Sequence, residues 1–237
     1  MKAKSSLISV FLGVLSGIFL LIVTNCKKGT DESKSESQLQ TGTVTDIDGN
    51  VYKTVLIGTQ WWMAENLKVT RYRNGDSIPE VTNPSDWCSL NEGASCYYQN
   101  VSNNLSKYGR LYNWYAVSDS RNIAPMGWHV STLSDWDQLF YYLGGPDSDA
   151  GTKLKDKNSW VKPYYVGTNT TGFTGLAAGF RDHKNGNYSA MGSYTDWWTP
   201  TAHDDSVAVC WGLSWTSYWL MEESNYKRTG LSVRCVK

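Results

Sequence analysis

The sequence predicts an α+β fold, and three observations predict it. Alternating apolar and polar residues open the folded part of the chain from Thr43. Two stretches with helical spacing, 107–117 and 133–143, sit in its middle. Further strand-like runs close it. The helices interrupt the strands instead of alternating with them regularly, which argues against a doubly wound parallel sheet.

The chain opens on Lys2 and Lys4, followed by an almost wholly apolar run from Leu7 to Val23. A basic start and a short apolar run make an export leader. The run is close to the lower length for spanning a bilayer, roughly 17–25 residues as a helix, so a signal anchor is the alternative. Cys26 directly after Val23-Thr24-Asn25 resembles the lipobox of bacterial lipoproteins, although Asn25 stands where Gly, Ala or Ser is usual. That resemblance implies a leader over 1–25, a lipid on the Cys26 thiol, and an exported protein anchored to the outer membrane or cell surface. Residues 26–42 hold charged and small polar residues with one large apolar side chain, Leu39. Such a stretch cannot offset the entropy of ordering and is expected to be a flexible linker. The remaining 43–237 is long enough for one domain with a real core.

Within that domain, Thr43 to Val55 is expected to be a β-hairpin turning at Asp48-Gly49. Asp46 and Asp48 lack the twelve-residue ligand spacing of an EF-hand, so they are assigned to the turn and not to calcium. Ile57 to Leu67 is expected to continue as a strand with large core side chains. In 107–117, Tyr108, Leu111, Tyr112 and Tyr115 recur at i, i+3, i+4 and i+7 and predict a helix. A second helix is expected over 133–143. Thr132 and Asp135 resemble a capping box with Asp in place of Glu, Trp136, Leu139, Phe140 and Leu143 form its stripe, and Gly144-Gly145 stops it. A short helical turn is expected over 151–155. Loops follow Trp160, and a meander of strands is expected over 206–215, 218–223 and 231–236.

Basic and acidic residues balance at 22 each. No basic stripe is present, so nucleic-acid binding has no electrostatic support. The composition stands out in its 12 Trp and 15 Tyr. Such side chains bury large areas, want a partner for N–H or O–H, and make platforms for sugar rings. Four cysteines follow Cys26, an even number that in an exported protein favours disulfides. Three connectivities are open, and the local pairs Cys88–Cys96 and Cys210–Cys235 are expected. The spacings are not those of a zinc site.

Several blocks resemble the family called the Fibrobacter succinogenes major paralogous domain. They are Trp61-Trp62-Met63-Ala64-Glu65-Asn66-Leu67, Tyr108-Gly109-Arg110-Leu111-Tyr112-Asn113-Trp114-Tyr115-Ala116-Val117 and Gly127-Trp128-His129-Val130. Thr171 to Leu176, Ala178-Gly179-Phe180-Arg181, Trp197-Trp198 and Ser232 to Val236 complete the set, in the family's order. The resemblance implies a surface or secreted protein, commonly a lipoprotein, without an established activity. Gly-Trp-His-Val followed by a Trp-containing helix is also similar to a block of formylglycine-generating-enzyme-like domains. That implies a C-type-lectin-like arrangement, with two helices packed on short antiparallel sheets and long loops. Ser131 stands where relatives carry Pro, and Ala124 where many carry Cys, so Cys210 is expected to replace that partner of Cys235.

No nucleophile, base and orienting group assemble from His129, His183 and His203. His129 is expected to be core or structural. His203, Asp204 and Asp205 are adjacent and point in different directions, so no metal is expected. No phosphate loop and no cofactor motif is present. The lectin calcium motifs Glu-Pro-Asn and Gln-Pro-Asp are absent as well. What remains is aromatic. Trp211 and Trp215 share a strand face with Val209 and Leu213 and are expected in the core. Tyr218 and Trp219 follow a tight turn, so one of them must face solvent. Trp197, Trp198, Tyr218 and Trp219 are the candidate ligand-binding aromatics of a non-catalytic module for glycan or a surface protein. A degenerate enzyme on the formylglycine-enzyme scaffold and a structural envelope protein are the alternatives.

Overall fold

A computed structural model describes residues 38–237 apart from Pro163. The expected leader, Cys26 and most of the expected linker lie outside the described residues. Mixed helix and sheet is what the alternating pattern predicted: short antiparallel sheets with five α-helices among the described residues.

The first hairpin forms where Asp48-Gly49 places it. Strand β1 (Thr41–Thr45) pairs antiparallel with β2 (Val51–Ile57), Thr45 opposite Val51. The acid that builds the turn is Asp46. Its Oδ1 accepts from the backbone N–H of Asp48 and Asn50, both at 2.9 Å, and its Oδ2 accepts from Tyr52 Oη at 2.5 Å. Pairing starts slightly before the expected boundary, since Gln40 O accepts from Leu56 N at 2.9 Å. The expected continuous strand over 57–67 is instead a second hairpin. Gly58, at φ +63°, turns the chain back into β3 (Gln60–Met63), which sets Trp62 opposite Val55.

The helix expected over 107–117 is not formed as such. Helix α1 (Pro84–Cys88) and strand β4 (Ser95–Cys96) come first, then α2 (Ser102–Tyr108), which stops at Gly109. Strand β5 (Leu111–Tyr112) and the one-turn α3 (Trp114–Val117) follow, the latter capped by the Asn113 side chain. Gly109 sits at φ +80°, and a Cβ there would lie 3.0 Å from the carbonyl oxygens of Asn66 and Leu67. That close passage ends the helix and sends Leu111 and Tyr112 into different clusters of the core. The helical spacing is therefore coincidental.

Strand β6 (His129–Val130) leads into α4 (Leu133–Tyr142), which begins with the expected capping box. Asp135 Oδ2 accepts from Thr132 N at 2.8 Å and lies 2.9 Å from His129 Nε2. His129 is thus an exposed edge residue that braces the cap, not a core residue. Helix α5 (Ala150–Leu154) matches the expected short turn. The small ladder of β7 (Phe180–Arg181) and β8 (Tyr188–Ser189) precedes the last sheet.

The meander exists, shifted by one strand. It consists of β9 (Tyr194–Ala202), β10 (Val207–Ser214) and β11 (Met221–Tyr226), in the order β11-β10-β9. The final strand β12 (Cys235–Val236) leaves it and lies between β3 and β6, completing a five-stranded sheet β1-β2-β3-β12-β6. Strand β9 escapes pattern reading because it is covered on both faces, so Thr195 to Thr199 are all buried and no alternation shows.

Most of the aromatic excess is core. Trp136 stacks on Trp211 at 6.0 Å between centroids and lies 4.8 Å from Trp62, with Phe173 and Trp197 against it. Beside them Asn66 forms a polar hub. Its Nδ2 donates to Tyr108 O at 2.8 Å, and its Oδ1 accepts from Trp197 Nε1 at 2.9 Å and Arg234 Nε at 2.7 Å. The buried Arg234 guanidinium also donates to the carbonyls of Met63, Phe173 and Thr174. Arg181 is held the same way, on the carbonyls of Val81, Thr82 and Gly186 and over the Trp87 ring.

Candidate functional site: an aromatic surface beside an open cavity

The four candidate aromatics separate into two pairs. Trp197 and Trp198 are fully buried on opposite faces of β9, and Trp198 Nε1 donates to Tyr112 O at 2.9 Å. They cannot touch a ligand, which corrects the expectation from sequence. Adjacent residues in a strand point to opposite faces, and here both faces are covered. Tyr218 is half-buried, while Trp219 keeps 46% of its surface exposed. Their rings meet edge to face at 5.1 Å.

Three further aromatics extend this surface. Tyr165 meets Tyr218 edge to face at 5.2 Å, and Tyr164 meets the half-buried Trp215 at 4.8 Å. Tyr164 and Tyr165 are exposed and lie in a loop, where no periodicity announces them. Trp215 was expected in the core, but β10 ends at Ser214 and its ring sits at the rim. One buried cation fixes the two segments that carry these rings. Lys155 Nζ donates to Ser214 O at 2.6 Å and Ser217 O at 2.5 Å, and reaches Tyr165 O at 3.5 Å. No acid pairs with it among the described residues, and burial pulls its pKa down to about 8.

Trp215 also walls an open cavity of about 440 Å³ on the meander, together with Phe180, Tyr194, Glu223 and Asn225. Tyr194 Oη donates to Glu223 Oε2. Asp196 lies behind these residues, fully buried. Burial first, and the nearby Glu223 second, raise its carboxyl well above the usual range. Its Oδ2 accepts from Asn225 Nδ2 at 2.9 Å. Room for this carboxyl comes from Gly212, where a Cβ would lie 2.1 Å from Asp196 Oδ1. The cavity thus combines three aromatic side chains with a carboxyl and an amide, within the usual size range of ligand sites.

The cysteines need a second correction. Cys88, Cys96, Cys210 and Cys235 are free thiols, so neither Cys88–Cys96 nor Cys210–Cys235 is joined. Each partner belongs to a separate element: Cys88 ends α1 while Cys96 lies in β4, and Cys210 lies in the meander while Cys235 lies in the five-stranded sheet. Burial pushes the Cys96 thiol up to about 11 and raises Cys210 and Cys235 as well. Such thiols are protonated and poor nucleophiles.

Among the described residues, no three His, Cys, Asp or Glu side chains converge as metal ligands, and no helix is long and apolar enough to cross a membrane. Asp204, beside His203, instead caps a turn. Its Oδ1 accepts from Ser206 N and Val207 N, which holds its pKa down at about 2. His183 stacks on Tyr226 at 3.9 Å.

Compared with known families, residues 55–237 match the family described as the Fibrobacter succinogenes major domain. No curated protein and no solved structure matches the chain.

Proposed function

The chain belongs to the Fibrobacter succinogenes major domain family, and from that premise we propose that it is a non-catalytic binding module that holds glycan on its aromatic surface. The observation that carries this reading is the exposed and half-buried aromatic set Tyr164, Tyr165, Trp215, Tyr218 and Trp219, of which Trp215 also walls a cavity bearing Glu223 and Asn225. An aromatic face stacks on the apolar face of a sugar ring at little cost in side-chain entropy. A carboxyl and an amide accept and donate hydrogen bonds to the hydroxyls at its rim. Sugar needs both at once, and Trp215 with Glu223 and Asn225 offers both around one cavity.

The finer architecture is C-type-lectin-like on this reading. Its support is the capped α4 following Gly-Trp-His-Val, and a first and last strand that share one sheet. Presentation at the cell envelope follows from a lipid on Cys26. Cys26→Ala should then move the protein out of the membrane fraction, and retention there would favour an anchor.

The test of glycan binding is Trp fluorescence quenching of the full-length protein by soluble neutral polysaccharides. The parent should saturate. Trp215→Ala and Trp219→Ala should each weaken binding about tenfold, as loss of one stacked ring of roughly 1.4 kcal/mol does. Ligand-independent fluorescence in the parent, or identical curves in all three proteins, would defeat the proposal.

A further inference from the structure

A second cleft, of about 710 Å³, shares no lining residue with the aromatic cavity. Three cations line it, Lys68, Arg71 and Arg110, against a single acid, Asp48. Asp48 is already engaged by Arg71, whose Nε lies 2.6 Å from its Oδ1. Lys68 has no acidic partner among the described residues; its ammonium sits 5.3 Å from the Tyr52 ring centroid. Arg110 is 93% buried, being 7% exposed, yet only its Nη1 is bound, to Glu80 Oε2 at 2.6 Å and Ser95 Oγ at 3.4 Å. Its buried Nε has no partner.

The backbone is built to place that guanidinium. Gly109, the residue that only a missing Cβ lets pass the carbonyls of Asn66 and Leu67, is followed by Arg110, whose N–H donates to Leu67 O at 3.0 Å. Arg110 is thereby fixed one residue across from Lys68, and its guanidinium lies 5.6 Å from the Tyr97 ring. A buried guanidinium with unbonded donors is costly unless something satisfies it. Planar guanidinium donors match the oxygens of phosphate and sulfate, and an adjacent ammonium adds a point charge. Thr70 and Ser106 add hydroxyl groups to the same walls.

We propose that this cleft binds a phosphate or sulfate group, with Lys68 and Arg110 as its principal contacts. With Asp48 paired to Arg71 and Glu80 to Arg110, Lys68, unpaired among the described residues, leaves the cleft a net positive charge that favours an oxyanion over a neutral sugar. The site is independent of the aromatic surface.

Calorimetric titration of the full-length, detergent-solubilised protein with inorganic phosphate, against sodium chloride at matched ionic strength, tests it. A saturable heat is expected for phosphate only. Lys68→Gln should weaken it at least tenfold, Lys68→Arg should restore it, and both should melt at the parent's temperature and bind neutral polysaccharide as the parent does. A phosphorylated polysaccharide and phosphatidylglycerol vesicles then distinguish a saccharide from a lipid headgroup as the source, by which of them shows Lys68-dependent binding. Phosphate heats no different from chloride, or Lys68→Gln titrating like the parent, would overturn the proposal. Loss of polysaccharide binding with phosphate binding intact would defeat the glycan reading alone.

Discussion

Arg234→Met should be among the most damaging single changes in this chain. The guanidinium makes four hydrogen bonds: Nε to Asn66 Oδ1 at 2.7 Å, Nη1 to Met63 O at 2.6 Å and Phe173 O at 2.7 Å, and Nη2 to Thr174 O at 3.0 Å. It is fully buried and packs 4.4 Å from the Phe173 ring centroid. Methionine fills much of the space but donates nothing, so three backbone carbonyls lose their partner. Asn66 Oδ1 keeps Trp197 Nε1. Each orphaned acceptor costs about 1–3 kcal/mol. Relief from desolvating a charge offsets part of that sum, since burial already pulls the guanidinium down to about 9. The net is a loss of about 3 kcal/mol out of a total stability of about 5–15 kcal/mol. For a domain of this length that lowers Tm by about 6–12 °C. Arg234→Lys should not rescue, because an ammonium lacks the planar fork that bonds the Met63–Asn66 and Phe173–Thr174 segments at once. Thermal unfolding followed by near-ultraviolet circular dichroism reads both variants. A Tm for Arg234→Met within about 2 °C of the parent would refute the reasoning and mean that water or relaxation satisfies the carbonyls.

Two further outcomes follow from the site. Gly212→Ala places a Cβ where Asp196 Oδ1 now sits, so the carboxyl must move and the cavity wall with it; overpacking of this kind costs about 1–3 kcal/mol, and a crystal structure of the variant with Asp196 unmoved would contradict this. Lys155 has its pKa lowered from 10.5 to about 8, so between those values the unfolded chain holds a proton that the folded chain has released. Stability should therefore rise with pH across that window, by about 1 kcal/mol after discounting for solvent screening. Urea unfolding at pH 7.5 and 9.5 measures it; the same pH slope in parent and Lys155→Met would remove Lys155 as the cause.

What the sequence disclosed depended on whether its cause was local. The Asp48-Gly49 turn, the Thr132–Asp135 cap and the short helix at 150–154 were legible because a few neighbouring residues decide each one. The spacing of Tyr108, Leu111, Tyr112 and Tyr115 misled because the deciding contact is tertiary, the passage of Gly109 against Asn66 and Leu67. Strand β9 was hidden by burial on both faces. At the site, Trp219 was found because two consecutive aromatics after a turn cannot both point inward. Tyr164 and Tyr165 were missed because a loop carries no periodic signal, and Trp215 because strand parity was extended one residue too far. The free thiols were not legible either, since an even cysteine count says nothing about distance.

The residues that carry the family resemblance and the residues that form the candidate site are almost disjoint. Trp62, Asn66, Phe173, Arg181, Trp197 and Arg234 all lie in recognisable blocks and all are buried, and all but Trp62, which donates to Gln60 Oε1, bond to one another or to backbone carbonyls. Tyr164, Tyr165, Trp215, Tyr218 and Trp219 lie outside every one of those blocks. Family membership therefore transmits the packing of this core, and a scaffold alone does not determine what is bound. The aromatic surface makes no bond to the hub at Asn66. Phe180, which walls the aromatic cavity, and Arg110 are the exceptions, and Arg110 is the charged one. It belongs to a recognisable block, yet it lines a cleft and its buried Nε is unbonded. A core arginine of this protein satisfies its donors on carbonyls, as Arg181 and Arg234 do. Arg110 departs from that rule where a cavity opens beside it, which is the pattern expected of a residue kept for a ligand and not for packing.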